Sequence, residues 1–390
     1  MNKPSRRIFS FDFLFKPLNR DLKLIFISFF VGAFGDGLYF QIFPLHLRSL
    51  GTSPVEVGIF YSVLSLFSAI APIPGGILTD KFDRKKVLIL SGLVWTSVPI
   101  IFFLAEDWFQ MLPGAVLFGF ASLGLPASSA YIASASVADQ LSTTFAVIHS
   151  GWWAGYILSP ALGGYLYSRL GMGKLFLLSF LFYVGHTTVL FFIRSQFVPS
   201  QSKLLSLSTD EKKKILIWIG FFAASTFAIT FVRPFIPQFL EDVYSYNRFQ
   251  VSVLASLTFL GSALLNITLG KIGDLWRKGV AVSISMILFC VSTFLLIRFN
   301  NFGILVLASF LGGASCSIGS LVNSVVSVIA PAATRGRWLS IQQSLGMLAA
   351  FFSPFIGGLL YEASIYRPFI AVIPFSFILC ILPITKMMKD

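Results

Sequence analysis

The sequence predicts an all-α membrane protein of twelve transmembrane helices, arranged as two pseudo-symmetric six-helix bundles. Three observations predict it. The 390 residues are 56% hydrophobic and only 12% charged, with a mean hydropathy of +0.84, whereas soluble domains carry about 25% charge. Apolar runs of roughly 20 residues, the length that crosses a bilayer, recur twelve times. Segments of the second half repeat segments of the first at a nearly fixed offset.

In chain order, residues 1–21 are basic and broken. They lack the apolar core of a cleavable signal and read as a cytoplasmic N-terminal segment. The first six runs lie at about 22–47, 55–79, 87–105, 109–136, 142–168 and 173–193, an N-terminal bundle over 22–194. Residues 195–213 are Ser-rich and charged and read as a cytoplasmic linker. A C-terminal bundle over 214–390 holds runs at about 214–240, 249–271, 280–297, 302–330, 338–362 and 368–386.

Charge sets the orientation. With both termini inside, 22 of the 29 Lys and Arg residues fall on the cytoplasmic side, six on the other, and Arg233 alone within a span. Cytoplasmic loops carry this excess, so the net charge of +13 needs no nucleic-acid partner. The expected setting is a prokaryotic inner or plasma membrane, with lipids and a small-molecule substrate as partners; the sequence does not fix an oligomeric state, and a single chain suffices. Cys290, Cys316 and Cys380 all lie in apolar runs and make neither a disulfide framework nor a metal-ligand spacing. No metal and no cofactor is expected.

The internal repeat is the most informative feature. Gly76, Asp80 and Arg84, in PGGILTDKFDRKK, map onto Gly270, Asp274 and Lys278 at an offset of 194. SPALGGYLY from Ser159 maps onto SPFIGGLLY from Ser353 at the same offset, and FGFAS from Phe118 onto LGGAS from Leu311 at 193. Parallel repeats of this kind place a substrate near the bilayer midplane, between the halves.

The turn GGILTDKFDRKK resembles the loop signature of the major facilitator superfamily, roughly G-x-L-x-D-R-x-G-R-R/K. Gly76, Leu78, Asp80, Arg84 and Lys85 match it, Lys81 replaces an Arg, and Asp83 stands where Gly is commoner. The resemblance implies that these charges latch the cytoplasmic side while the cavity faces outward, with Gly76 permitting close helix approach. Headgroup anchoring is the simpler alternative. In the fifth span, GWWAGYILSPALGG is similar to the signature of drug/proton antiporters. Gly155, Pro160, Gly163 and Gly164 match, and Ser159 stands where Gly is usual. Its near copy at Ser353, Pro354, Gly357 and Gly358 favours a packing device, a Pro kink and a small-residue face against another helix.

Two charges lie within spans. Asp36, in VGAFGDGLYFQIFPL, costs roughly 2.5–3.5 kcal/mol at a helix centre. Arg233 lies about one turn beyond the pseudo-equivalent of Asp36. In the implied fold both line the central cavity, and they are expected to face one another as a proton-coupling pair; a static pair is the alternative. Tyr39, Phe40, Gln41, Phe43, Tyr131, Phe235, Gln238 and Asn323 fall on cavity-lining spans. So few polar groups suit a lipophilic or amphipathic substrate better than a sugar. His186 and His149 read as packing or interfacial residues, with a proton relay as the alternative, and Arg48, Glu241 and Asp242 as a solvated rim, with an external gate as the alternative. The expected function is proton-coupled efflux of hydrophobic or amphipathic small molecules by alternating access. A symporter or facilitator importing a metabolite, and an uncoupled lipid transporter, are the alternatives. The chain is not expected to be an enzyme, since no catalytic cluster or soluble domain is present.

Overall fold

The computed structural model describes residues 18–137, 141–196, 208–330 and 335–385. Within them every regular element is helical. Nine helices are long and apolar enough to cross a membrane among the described residues. One of these, Val147–Phe191, holds two crossings, because Gly171 at φ 74° turns the chain back between the fifth and sixth spans. The first span is divided into two shorter helices, Arg20–Gly37 and Phe43–Ser49. The last, Arg367–Pro383, is shorter than the others. The twelve expected crossings are thus present among the described residues, so the first described helix starts and the last one ends on the same side of the molecule, here called the terminal end; the opposite end is the distal end.

The breaks inside the spans recur between the halves. The first span loosens between Gly37 and Phe43, and Pro44 starts its second helix. The seventh breaks in the corresponding place, where Thr209–Val232 gives way to a 3-10 turn at Arg233–Phe235 and then Ile236–Tyr244. Pro234 and Pro237 lack the N–H that a continuous helix needs there. The fourth and tenth spans carry 3-10 pieces at Ala121–Gly124 and Gly313–Cys316. A duplicated sequence therefore duplicates its helix faults. The seventh span opens with a Ser208–Glu211 capping box, and its helix starts at Thr209; residues 197–207 of the expected linker lie outside the described residues.

One large buried cluster runs through both bundles, from Tyr39, Phe43 and Phe102 of the first to Phe235, Phe239 and Phe369 of the second, and a separate cluster around Leu22 and Tyr131 belongs to the first bundle. The bundles meet along the second span against the eleventh and the fifth against the eighth. Glycines set that approach: a Cβ on Gly58 would stand 2.4 Å from the Pro354 carbonyl oxygen, and one on Gly358 2.6 Å from that of Pro54.

Candidate functional site

Asp36 sits on the last turn of the first helix, 1% exposed. Its Oδ1 accepts a hydrogen bond from the Tyr183 hydroxyl at 2.8 Å, and its Oδ2 accepts one from the Tyr156 hydroxyl. The Tyr39 and Tyr183 hydroxyls stand 3.4 Å apart. The glycines flanking Asp36 bring these phenols within reach. A Cβ on Gly35 would lie 2.6 Å from Phe182 Cβ, and one on Gly37 2.0 Å from Ser159 Oγ. The acid thus trades water for phenolic donors of the fifth and sixth spans. Tyr156 also faces the other bundle, where its ring stacks on Phe259 of the eighth span at 4.6 Å.

Asp36 does not pair with Arg233, contrary to the expectation from the sequence. Its two oxygens are taken by phenols of its own bundle, while Arg233 is exposed on the other and makes no ion pair among the described residues. Arg233 still lies between the bundles, within electrostatic reach of Tyr61 in the second span and Tyr156 in the fifth.

The expected cavity residues divide. Phe40 is half-buried and stacks on Phe118 at 5.2 Å, Gln41 is half-buried, and Asn323 accepts from the Gln342 side chain at 2.7 Å. Tyr39, Phe43 and Phe235 are fully buried and pack their own bundles rather than a cavity; Phe43 contacts Phe102 at 4.8 Å and Phe235 stacks on Tyr361 at 5.3 Å. Tyr131 belongs to the terminal end, where its hydroxyl donates to the Arg194 carbonyl at 2.9 Å and stands 3.3 Å from an Asp21 carboxylate oxygen. Gln238 is buried at the distal end and donates to the Pro44 carbonyl at 3.4 Å. Aromatic residues on a lining span still alternate between its two faces, which composition does not disclose.

At the distal end, of the two readings of Arg48, Glu241 and Asp242, the structure shows contacts of the gate kind, a clasp between a half-exposed Arg48 and Asp242. Arg48 pairs with Asp242, which also accepts from the Tyr361 hydroxyl at 2.9 Å. Arg248 donates to the Leu45 carbonyl at 3.4 Å and lies over the Tyr167 ring at 4.2 Å. Arg48 and Asp242 are 194 residues apart, as are Pro44 and Gln238. The clasp is therefore built from repeat-equivalent positions that meet on the pseudo-twofold axis.

The SPxxGG copies do two jobs with adjacent glycines. A Cβ on Gly163 would stand 1.8 Å from the Leu38 carbonyl oxygen, and one on Gly357 2.3 Å from that of Phe231, both within the bundle. A Cβ on Gly164 would meet Ser252 Oγ at 2.5 Å and the Arg248 carbonyl oxygen at 2.9 Å, across the interface. Gly155 packs on Phe30 and Ala33 of the first span. Ser159 is buried against Gly37, and Ser353 donates to the Phe227 carbonyl at 2.6 Å. Pro160 and Pro354 lie inside their helices, and just past Pro160 the Ala161 N–H donates to Ser256 of the other bundle at 3.0 Å.

In the loop motif, Gly76 and Gly270 face open space, so neither permits close approach; Gly75 does, 2.1 Å from the Leu123 carbonyl oxygen for an added Cβ. Helical phase explains the difference, since neighbouring residues point about 100° apart. Asp80 and Asp274 are exposed. Arg84 donates within its bundle to the Ala130 carbonyl at 3.0 Å, Ser134 at 2.6 Å and Gln196 at 2.7 Å. Lys85 donates to the Phe191 carbonyl at 2.7 Å, and Lys278 bonds Ser324. Asp83, the departure from the family pattern, caps the third span and accepts the Gln196 N–H at 3.1 Å.

Sequence reasoning missed Tyr156, Tyr183 and Phe259, and noted Asp83 only as a departure from the family pattern. Two of these carried a signal: a buried Tyr hydroxyl needs a partner, and Tyr156 lies inside the fifth-span motif.

The sequence matches the Major Facilitator Superfamily over residues 25–227 and again over 216–389. Multidrug resistance protein MdtG of Proteus mirabilis (strain HI4320) is 24% identical over 364 residues, 88% of this chain and 90% of that protein. A multi-drug resistance efflux pump PmrA homolog of Lactococcus lactis is 25% identical over 369 residues, 89% and 90% respectively. A crystal structure of the nucleoside transporter NupG shares the fold with a TM-score of 0.79 at 15% identity, covering 95% of this chain and 100% of that one. Two consecutive family matches, one on each six-span bundle of a duplicated chain, place the protein: it belongs to the Major Facilitator Superfamily and is a multi-pass membrane transporter of small molecules.

Proposed function

We propose that this transporter exports hydrophobic or amphipathic small molecules in exchange for protons, with Asp36 as the proton carrier. The observation that carries this reading is the Asp36 cage. A buried carboxylate held by Tyr156 and Tyr183 is joined through the Tyr156 ring to Phe259 on the opposite bundle. Rocking of the bundles separates Phe259 from Tyr156 and changes the access of water to Asp36, so that proton binding and bundle position are linked. The excess of Lys and Arg at the terminal end supports a cytoplasmic position for it. The distal clasp then closes the outer side, and the arrangement faces the cytoplasm, ready to take up a substrate from the inner leaflet or the cytosol. The relative named as a multi-drug resistance efflux pump, and the one named as a multidrug resistance protein, support the export direction.

The test is transport by purified protein in proteoliposomes, with the pH gradient imposed in either direction and a lipophilic fluorescent substrate. Wild type accumulates substrate on the acidic side. Asp36→Asn loses uphill accumulation and keeps downhill equilibration. Uphill movement that persists in Asp36→Asn removes Asp36 from the mechanism, and accumulation on the alkaline side makes the carrier a symporter.

A further inference from the structure

The charge that faces the cavity names a substrate class, on the reading that this chain exports amphipathic compounds. Arg233 stands on the 3-10 turn of the seventh span; Pro234 and Phe235 beside it are buried, while Arg233 is exposed. The turn packs against the second span of the other bundle. The Arg233 charge reaches Tyr61 and Tyr156 across the interface. It therefore points between the bundles, the side on which an intramembrane cation finds water or a partner. No carboxylate pairs with it among the described residues. Asp36, the other charge within the spans, is buried, and both of its oxygens already accept phenolic hydrogen bonds.

A substrate entering between the bundles thus meets a guanidinium and no free carboxylate. The wall beside it is aromatic. Tyr61 meets the Phe40 ring edge-on at 5.9 Å, Phe40 stacks on Phe118 at 5.2 Å, and Trp152 packs on Tyr156 at 5.8 Å. Of these, Tyr61, Phe40, Phe118 and Trp152 are only partly buried. Half-exposed rings take an apolar body, and a guanidinium takes a planar oxyanion through a two-pronged hydrogen bond. We propose that the site selects amphipathic anions: compounds with an aromatic or apolar body and one carboxylate, sulfonate or phosphate group seated on Arg233.

The test is calorimetric binding to the full-length purified protein with two probes that share one ring system, naphthoate and naphthyltrimethylammonium. Wild type binds naphthoate about tenfold or more tightly than the ammonium, the scale of one charge-assisted hydrogen bond. Arg233→Gln abolishes the preference, and Arg233→Lys, which keeps the charge and loses the fork, retains part of it. Equal or tighter binding of the ammonium to wild type overturns the proposal, as does a preference that survives in Arg233→Gln with unchanged thermal unfolding. Proton-driven export of naphthyltrimethylammonium with no export of naphthoate would sink the anion site and leave export standing. Anion preference without pH-driven accumulation would do the reverse.

Discussion

At Asp36 the hydroxyls of Tyr156 and Tyr183 replace the water that a carboxylate loses inside a membrane, so the acid is held without a counter-ion. Other single residues carry roles that hydropathy hides. Tyr131 ties the fourth span to Arg194 and Asp21. Tyr131→Phe is expected to lower stability by about 1 kcal/mol, seen as a lower melting temperature in detergent, with substrate affinity unchanged. At Asp83, partial burial pushes the carboxyl up. Hydrogen bonds from the Gln196 N–H, Ser195 and the Lys85 N–H, with the Lys86 charge, outweigh it and hold the group below its ordinary value. A depressed folded pKa gives stability that is present above the unfolded value and lost as pH falls through the folded one. Asp83→Asn keeps the cap and is therefore expected to cost up to about 1 kcal/mol at neutral pH. The gap to wild type should close only as pH falls below the ordinary carboxylate value and through the lower folded one; melting curves across pH check it, and a gap that widens in acid contradicts it.

At the scale of elements, one helix face serves two contacts. Gly163 lets the fifth span touch the first within its bundle, and Gly164 lets it touch the eighth across the interface. Alanine at the two positions should act differently. Gly163→Ala places a methyl against fixed backbone whatever the bundles do, and should cost about 1–3 kcal/mol of stability as overpacking. Gly164→Ala obstructs only the arrangement in which fifth and eighth spans are closed at the distal end. Its expected signature is a rise in labelling of cysteines placed in the distal interface, with a smaller fall in melting temperature. Equal effects in both assays would show that the glycines are not divided in this way.

For the whole molecule, the distal clasp gathers Arg48, Asp242 and Tyr361 where the repeat brings the first and seventh spans together. An exposed ion pair contributes about 0.2–1 kcal/mol, and the Tyr361 hydrogen bond adds roughly as much. Asp242→Ala should therefore shift the balance toward distal opening by about twofold to thirtyfold. Pulsed electron-spin distances between labels on the distal ends of the first and seventh spans would lengthen. An unchanged distance distribution would mean that helix packing alone keeps this end shut.

Sequence alone determined the number of spans and their grouping into two like bundles. Each follows from a local quantity: apolar run length or a fixed repeat offset. The Gly163–Gly164 pair was also legible as a packing face, since small residues on a membrane helix leave few other uses. What only the tertiary structure decided was partnership. Asp36 could take Arg233 or a phenol, and the close approach allowed by Gly35 and Gly37 set the phenols first. Tyr131 and Phe40 look alike as aromatics on lining spans, but rotation and depth put one at the terminal end and the other beside the interface. A hydrogen bond depends on ångström distances between residues more than a hundred positions apart, and composition and period carry no information on that scale.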